Sequence, residues 1–141
     1  MSERPAPGRL YFGVPVPYLD VSGFEAVSLV DGRVEGRLAA RPDLDNRNGY
    51  AHGGRVMTAM DSVMSAAARS ADPTGLAVST ISMTTNFLLG ATGELMVTGT
   101  RVRQGRSIAF CEAQVRDAEG RVIATATASF SVRPRTTEGR S

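Results

Sequence analysis

Hydrophobic and polar positions change their spacing along this chain, and the changes mark out the elements. From Phe24 to Val30 and from Arg33 to Ala40 the alternation suits two strands, joined across Asp31-Gly32. An Asp-Gly pair between such runs predicts a hairpin with a type I′ turn, which needs positive φ at both turn residues. Arg41 to Ala51 is a loop rich in turn formers. The period of two then disappears. Val56, Met57, Ala59, Met60, Val63, Met64 and Ala66 to Ala68 cover nearly every face of a segment with no proline before Pro73. Ala, Met and Arg favour helix, so this is the one long helix the sequence offers, and a helix without a wide polar face is normally buried. Asp72-Pro73-Thr74-Gly75 ends it. Four strand-like runs follow: Leu76 to Leu89, Glu94 to Gln104, Arg106 to Arg116 and Arg121 to Val132. In the third, Ile108, Phe110, Glu112 and Gln114 point one way and Ala109, Cys111, Ala113 and Val115 the other.

Two strands, one helix and four strands imply an α+β fold. An antiparallel sheet of about six strands wraps around one long central helix, the hotdog arrangement. Its edges and outer face are underused, so dimerisation is expected. The 141 residues are expected to form a single domain (residues 1–141). Residues 1–17 read as an irregular proline-rich arm with a short helical turn near Pro17 to Val21, and the tail 134–141 as disordered.

Composition narrows the chemistry. All 16 basic residues are arginine, which excludes a lysine Schiff base or a pyridoxal-phosphate anchor. A net charge of +2 with arginines spread along the chain argues against nucleic acid as a partner. Cys111 is the only cysteine, so there is no intrachain disulfide, and its alternation with apolar positions makes it core filler. No apolar run reaches membrane-spanning length, and a soluble cytoplasmic protein is expected. One His and one Cys leave a metal site short of ligands, and none is expected.

One residue does not fit a buried apolar helix. Asp61 lies in its middle, where a carboxylate must be hydrogen-bonded, protonated or used. It is either a structural acid bonded to Ser65 or to a neighbouring chain, or a reacting group. Before it, Asn46-x-x-Gly49-x-x-His52-Gly53-Gly54 forms a polar, glycine-rich loop opening the helix.

That loop followed by Asp61 resembles the signature of hotdog-fold acyl-CoA thioesterases of the phenylacetic-acid-degradation (PaaI) type. Thr80-Ile-Ser-Met83-Thr-Thr-Asn86-Phe87 is similar to the family's strand after the helix, where a Ser or Thr faces the catalytic carboxylate. Arg103-Gln104-Gly105-Arg106 and Asp117-Ala-Glu-Gly120-Arg121 are similar to its later hairpins, so the resemblance runs from about Val16 to Val132. Tyr50-Ala51 is bulkier than usual before the histidine, which bears on the pocket mouth.

The resemblance implies hydrolysis of an acyl- or aryl-acyl-CoA to the free acid and CoA, with no cofactor, since coenzyme A is part of the substrate. Gly53 and Gly54 stand among the unsatisfied N–H donors of the helix start, aided by its dipole, and would stabilise an oxyanion. Asp61 would be the nucleophile or the general base. Thr80 would hold water or orient the carboxylate. Asn46 would bond the thioester carbonyl or lock the loop, and His52 would polarise the carbonyl or brace the loop. Tyr50, Met57 and Phe87 would shape the acyl pocket; Arg103 and Arg106 would meet the CoA phosphates or form only a solvated edge. Asp61 lies eight residues beyond Gly53, about 12 Å along the axis, too far for one carbonyl to touch both. If both act, the site joins Gly53 and Asn46 of one subunit to Asp61 and Thr80 of another, with a dimer as the minimum and a tetramer expected from the resemblance.

Two other functions compete. A hotdog hydratase or dehydratase pairs its histidine with an acid at other spacings and lacks the glycine pair. A non-catalytic acyl-CoA sensor has no need to keep both Asp61 and Gly53-Gly54.

Overall fold

A computed structural model describes residues 8–136. A small hairpin, β1 (Leu10–Tyr11) and β2 (Val14–Pro15), precedes a 3₁₀ turn at Pro17–Val21. Then come β3 (Phe24–Val30), β4 (Arg33–Leu38), a 3₁₀ turn at Pro42–Leu44 and the helix α1 (Gly53–Ala68). Strands β5 (Leu76–Phe87), β6 (Leu95–Gln104), β7 (Ile108–Arg116) and β8 (Val122–Pro134) complete the chain. The six long strands form one antiparallel sheet in the order β3-β4-β6-β7-β8-β5, which leaves β3 and β5 as its edges.

The sheet curls around α1, and β6 carries the closest approach. A side chain at Gly99 would stand 2.6 Å from the Val63 carbonyl, so glycine is what lets helix backbone rest on strand backbone. Met60, Val63, Met64 and Ala66 to Ala68 are fully buried in one core with Val97, Val115, Ala126 and Phe130. In β7 the expected alternation holds: Ala109, Cys111, Ala113 and Val115 are buried, while Phe110 and Glu112 are exposed. Burial pushes the Cys111 thiol up to about 11, so it is an inert core group despite the nearby Arg101.

Two buried guanidinium groups pin the helix ends. Arg55 donates to the Ser22 and Ala39 carbonyls, both at 2.6 Å. Burial, with Arg41 nearby, lowers its pKa from the usual arginine value. Arg69 donates to the carbonyls of Tyr11, Phe12 and Pro73, docking the β1–β2 hairpin beneath the C-terminal end of α1.

Several expectations are corrected. Residues 8–17 are not an irregular arm, because Leu10 pairs with Pro15 and Tyr11 with Val14. Its turn residues Phe12 and Gly13 have φ of 53° and 92°, the double positive φ expected instead at Asp31-Gly32. There only Gly32 is positive, at 87°. The Asp31 carboxylate is held by Arg101 at 2.7 Å and the Gly32 N–H by the Ser70 hydroxyl at 2.8 Å, and these contacts set the turn. The β3–β4 hairpin itself forms as expected. Strand β4 stops at Leu38, since the Ala39 carbonyl is taken by Arg55. Strand β5 stops at Phe87, where the Leu88 and Leu89 N–H groups both turn to the Ile123 carbonyl. Strand β7 starts only at Ile108, after Gly105 N–H has closed the turn onto its carbonyl. Strand β8 runs on to Pro134, and Arg135 N–H donates to the Gly75 carbonyl. The remainder of the arm, residues 1–7, and of the tail, residues 137–141, lies outside the described residues.

The helix also departs from uniform burial. Gly54 and Met57 are exposed, and Thr58, Asp61 and Ser65 only partly covered. At steps of three and four these residues form one uncovered stripe along α1.

Candidate active site

The start of α1 carries one set of features. His52 is its N-cap, and the imidazole Nδ1 accepts the Gly54 N–H at 2.9 Å. Accepting through Nδ1 leaves the proton of a neutral ring on Nε2. The His52 carbonyl accepts the Arg55 and Val56 N–H groups. Gly54 is therefore not a second free donor; in the first turn of α1 only the Gly53 N–H is left without a partner among the described residues. His52 braces this turn.

Asn46 performs the loop-locking role by geometry. Its side-chain Oδ1 accepts the N–H groups of Asn48 at 2.9 Å and Tyr50 at 3.1 Å, while its own N–H donates to the Tyr50 carbonyl at 2.7 Å. With Oδ1 turned to the loop, the amide Nδ2 has no partner among the described residues. Asn46 and Gly53 line one cleft of roughly 340 Å³ together with Tyr50, Val56, Phe87 and Leu89. The Phe87 ring lies over Gly53, 3.4 Å from where a side chain on that residue would begin. Two unpaired donors thus share one cleft without charged side chains, an arrangement that can stabilise a developing oxyanion.

The middle of the helix carries the other set. Asp61 does not bond Ser65, whose hydroxyl donates to the Ser62 carbonyl. Instead Asp61 Oδ1 accepts the Thr80 hydroxyl at 2.8 Å. A bulge at Thr80/Ser82 brings Thr80 there. Leu76, Val78 and Thr80 face the helix, the extra Ile81 stands 56 % exposed, and the helix-facing series resumes with Met83 and Phe87. Among the described residues Asp61 Oδ2 accepts no protein hydrogen bond.

Other expected residues lie apart. Met57 is on the uncovered stripe, 38 % exposed. Arg103 pairs with Phe110 and shares the outer face of the sheet with it, away from the helix. Arg106 sits in the exposed β6–β7 turn. Within one chain neither arginine is brought to Asp61 or Gly53. Among the described residues, no three His, Cys, Asp or Glu side chains gather to hold a metal ion, and no helix is long and apolar enough to cross a membrane. The loop Leu88 to Ala91 also walls the cleft. Its one sequence signal is the apolar run Phe87-Leu88-Leu89 continuing past the strand into Gly90.

Similar proteins share this architecture. A conserved protein of Pseudomonas aeruginosa aligns with a TM-score of 0.80 at 28% identity, over 84% of this chain and 94% of that one. A thioesterase family protein of Silicibacter pomeroyi aligns with a TM-score of 0.79 at 29% identity, over 85% and 91%. A protein of Streptococcus mutans, solved bound to acetyl CoA, aligns with a TM-score of 0.72 at 26% identity, over 81% and 91%. No curated protein matches the sequence. A model of the Thioesterase superfamily matches residues 48–124, more than half of the chain, from the locked loop through α1 and into β8. With the helix α1 wrapped by six antiparallel strands, the chain is a hotdog protein and belongs to the thioesterase superfamily.

Proposed function

We propose that this protein is an acyl-CoA thioesterase of the PaaI type, acting in the cytoplasm. Each site joins Gly53 and Asn46 of one protomer to Asp61 and Thr80 of its partner. The observation that carries this reading is the uncovered stripe of α1. It holds a carboxylate with a free oxygen about 12 Å from a helix start with one free N–H donor, a gap one carbonyl cannot bridge. Two such helices side by side and antiparallel bring each carboxylate to the other's donor, and the pairing covers both stripes. The exposed Val102 and Phe110 on the outer sheet face give dimers a second surface for pairing into a tetramer. The acetyl CoA held by the Streptococcus mutans protein supports a CoA thioester as ligand.

The thioester carbonyl oxygen accepts from Gly53 N–H and Asn46 Nδ2, which draws electron density from the carbon. In one route Asp61 takes a proton from a water held by Thr80, and the water oxygen bonds the carbonyl carbon. Collapse of the tetrahedral intermediate breaks the C–S bond, and Asp61 returns the proton to the CoA sulfur. In the other route the Asp61 carboxylate bonds the carbonyl carbon, the C–S bond breaks and CoA leaves as thiolate, and water then cleaves the mixed anhydride, one of its protons passing to the thiolate. Label found in Asp61 after a single turnover in ¹⁸O-water identifies the second route with water attacking Cγ, because attack at the acyl carbon labels only the product acid in either route.

The test is CoA release from a panel of aromatic and aliphatic acyl-CoAs by the natural protein and by Asp61→Ala. Turnover that falls at least about 100-fold in the variant is expected. Equal slow release by both proteins would remove Asp61 from the mechanism. Tight acyl-CoA binding without release would point to a sensor.

A further inference from the structure

We infer that Gly90, through the seat it provides for the Tyr50 ring, sets the length of acyl chain the cleft accepts. This rests on the thioesterase reading and deepens it. A side chain on Gly90 would begin 2.8 Å from both Cδ1 and Cε1 of Tyr50 and 3.0 Å from Cγ, so a methyl group and the ring cannot both keep their places. Gly90 is not among the residues with positive φ, which leaves space as the only reason for glycine here.

Both partners are fixed from behind. The Tyr50 backbone is tied to Asn46 through its N–H and its carbonyl. The Gly90 loop is tied to the Ile123 carbonyl through Leu88 and Leu89, and the Ala91 carbonyl accepts the Ala51 N–H at 2.9 Å. The ring therefore rests between two anchored loops. It is 44 % exposed, and its hydroxyl has no hydrogen-bond partner among the described residues. An aromatic ring held this tightly yet left half open has a face to offer a ligand.

Its position gives that face a purpose. Tyr50 and Gly90 line the same cleft as the Gly53 N–H and Asn46. An acyl chain whose carbonyl oxygen sits on Gly53 and which runs into this cleft meets the Tyr50 ring. No charged side chain lines the cleft, so the group it takes is an uncharged acyl chain. With the ring on its seat, short chains fit and long ones are stopped. Each methylene admitted past that point is worth roughly fourfold in kcat/KM.

The experiment measures kcat/KM on straight-chain acyl-CoAs from butyryl to myristoyl for the natural protein, Tyr50→Ala, Gly90→Ala and the double variant. Tyr50→Ala is expected to raise the ratio of lauroyl to butyryl turnover about tenfold or more. Gly90→Ala is expected to shift that ratio several-fold when Tyr50 is present and not when it is absent, because its methyl acts only by displacing the ring. A chain-length profile unchanged by Tyr50→Ala overturns the inference. So does a Gly90→Ala effect of equal size in both backgrounds. Failure of the natural protein to turn over any of these or any aromatic acyl-CoA defeats the thioesterase reading instead. Thermal shift with non-hydrolysable acyl-CoA thioethers then decides the Tyr50–Gly90 pair: the same length dependence with and without the ring rejects it.

Discussion

The Thr80 hydroxyl donates to Asp61 Oδ1 at 2.8 Å, joining a bulged edge strand to the middle of the helix across the sheet's open side. The bond holds one carboxylate oxygen and leaves the other without a partner among the described residues. Thr80→Val should leave the fold intact and lower kcat about tenfold with little change in KM, since it frees a carboxylate whose geometry matters only in the reacting complex. Thr80→Ser should recover most of the loss.

A site shared between subunits can be reassembled from two inactive variants. Asp61→Asn removes the carboxylate. Asn46→Asp keeps the oxygen that locks the loop and removes the free amide donor. Each alone should be about 100-fold impaired. Co-refolded in equal amounts, half of the dimers carry one intact site, so activity should return to about a quarter of the natural level. No recovery on mixing would place both halves of the site in one chain.

His52 should act on stability before it acts on rate. Its Nδ1 caps the first turn through Gly54 N–H, so His52→Ala should cost about 1 kcal/mol. His52→Asn, a good N-cap, should restore most of it in thermal unfolding. An unchanged melting temperature in the alanine variant would deny the cap any weight.

Alkaline pH should loosen the N-terminal hairpin. Burial, reinforced by the hydrogen bond to Asp20 at 2.6 Å, raises the Tyr11 pKa from 10.0 to about 12. The folded chain keeps a proton that the unfolded chain releases more readily. This contribution is complete below pH 10 and is lost as pH rises from about 10 to 12. Tyr11→Phe should flatten the stability curve in that window, read by urea unfolding at pH 9, 10.5 and 12.

Thr85 Oγ1 is buried and has no hydrogen-bond partner among the described residues. Thr85→Val keeps the shape and removes the unsatisfied hydroxyl, so stability should rise by about 1 kcal/mol in urea unfolding. A fall of that size would mean that the hydroxyl finds a partner in the assembled protein.

The sequence by itself determined the order and type of the long elements. Alternation in β7, the apolar saturation of α1 and the Asp-Pro-Thr-Gly stop are local patterns, and each resolves to one periodicity. It also singled out Asp61 and Gly53, because a carboxylate in an apolar helix and a glycine pair at its start break the local rules. What it could not decide are matters of which group reaches which. The Gly54 N–H, a free donor by position alone, is taken by His52, and the Asp31-Gly32 turn is set by Arg101 and Ser70, far along the chain. The bulge that turns Thr80 toward Asp61 is one extra residue in a run of Ser, Thr and Ile that shows no break in pattern. Tyr50 and Gly90 lie 40 residues apart and meet only because two loops are tied together by backbone hydrogen bonds, which side-chain identities do not encode. Periodicity is a property of neighbours, whereas hydrogen-bond partners and steric seats are assigned only when the sheet has closed around the helix.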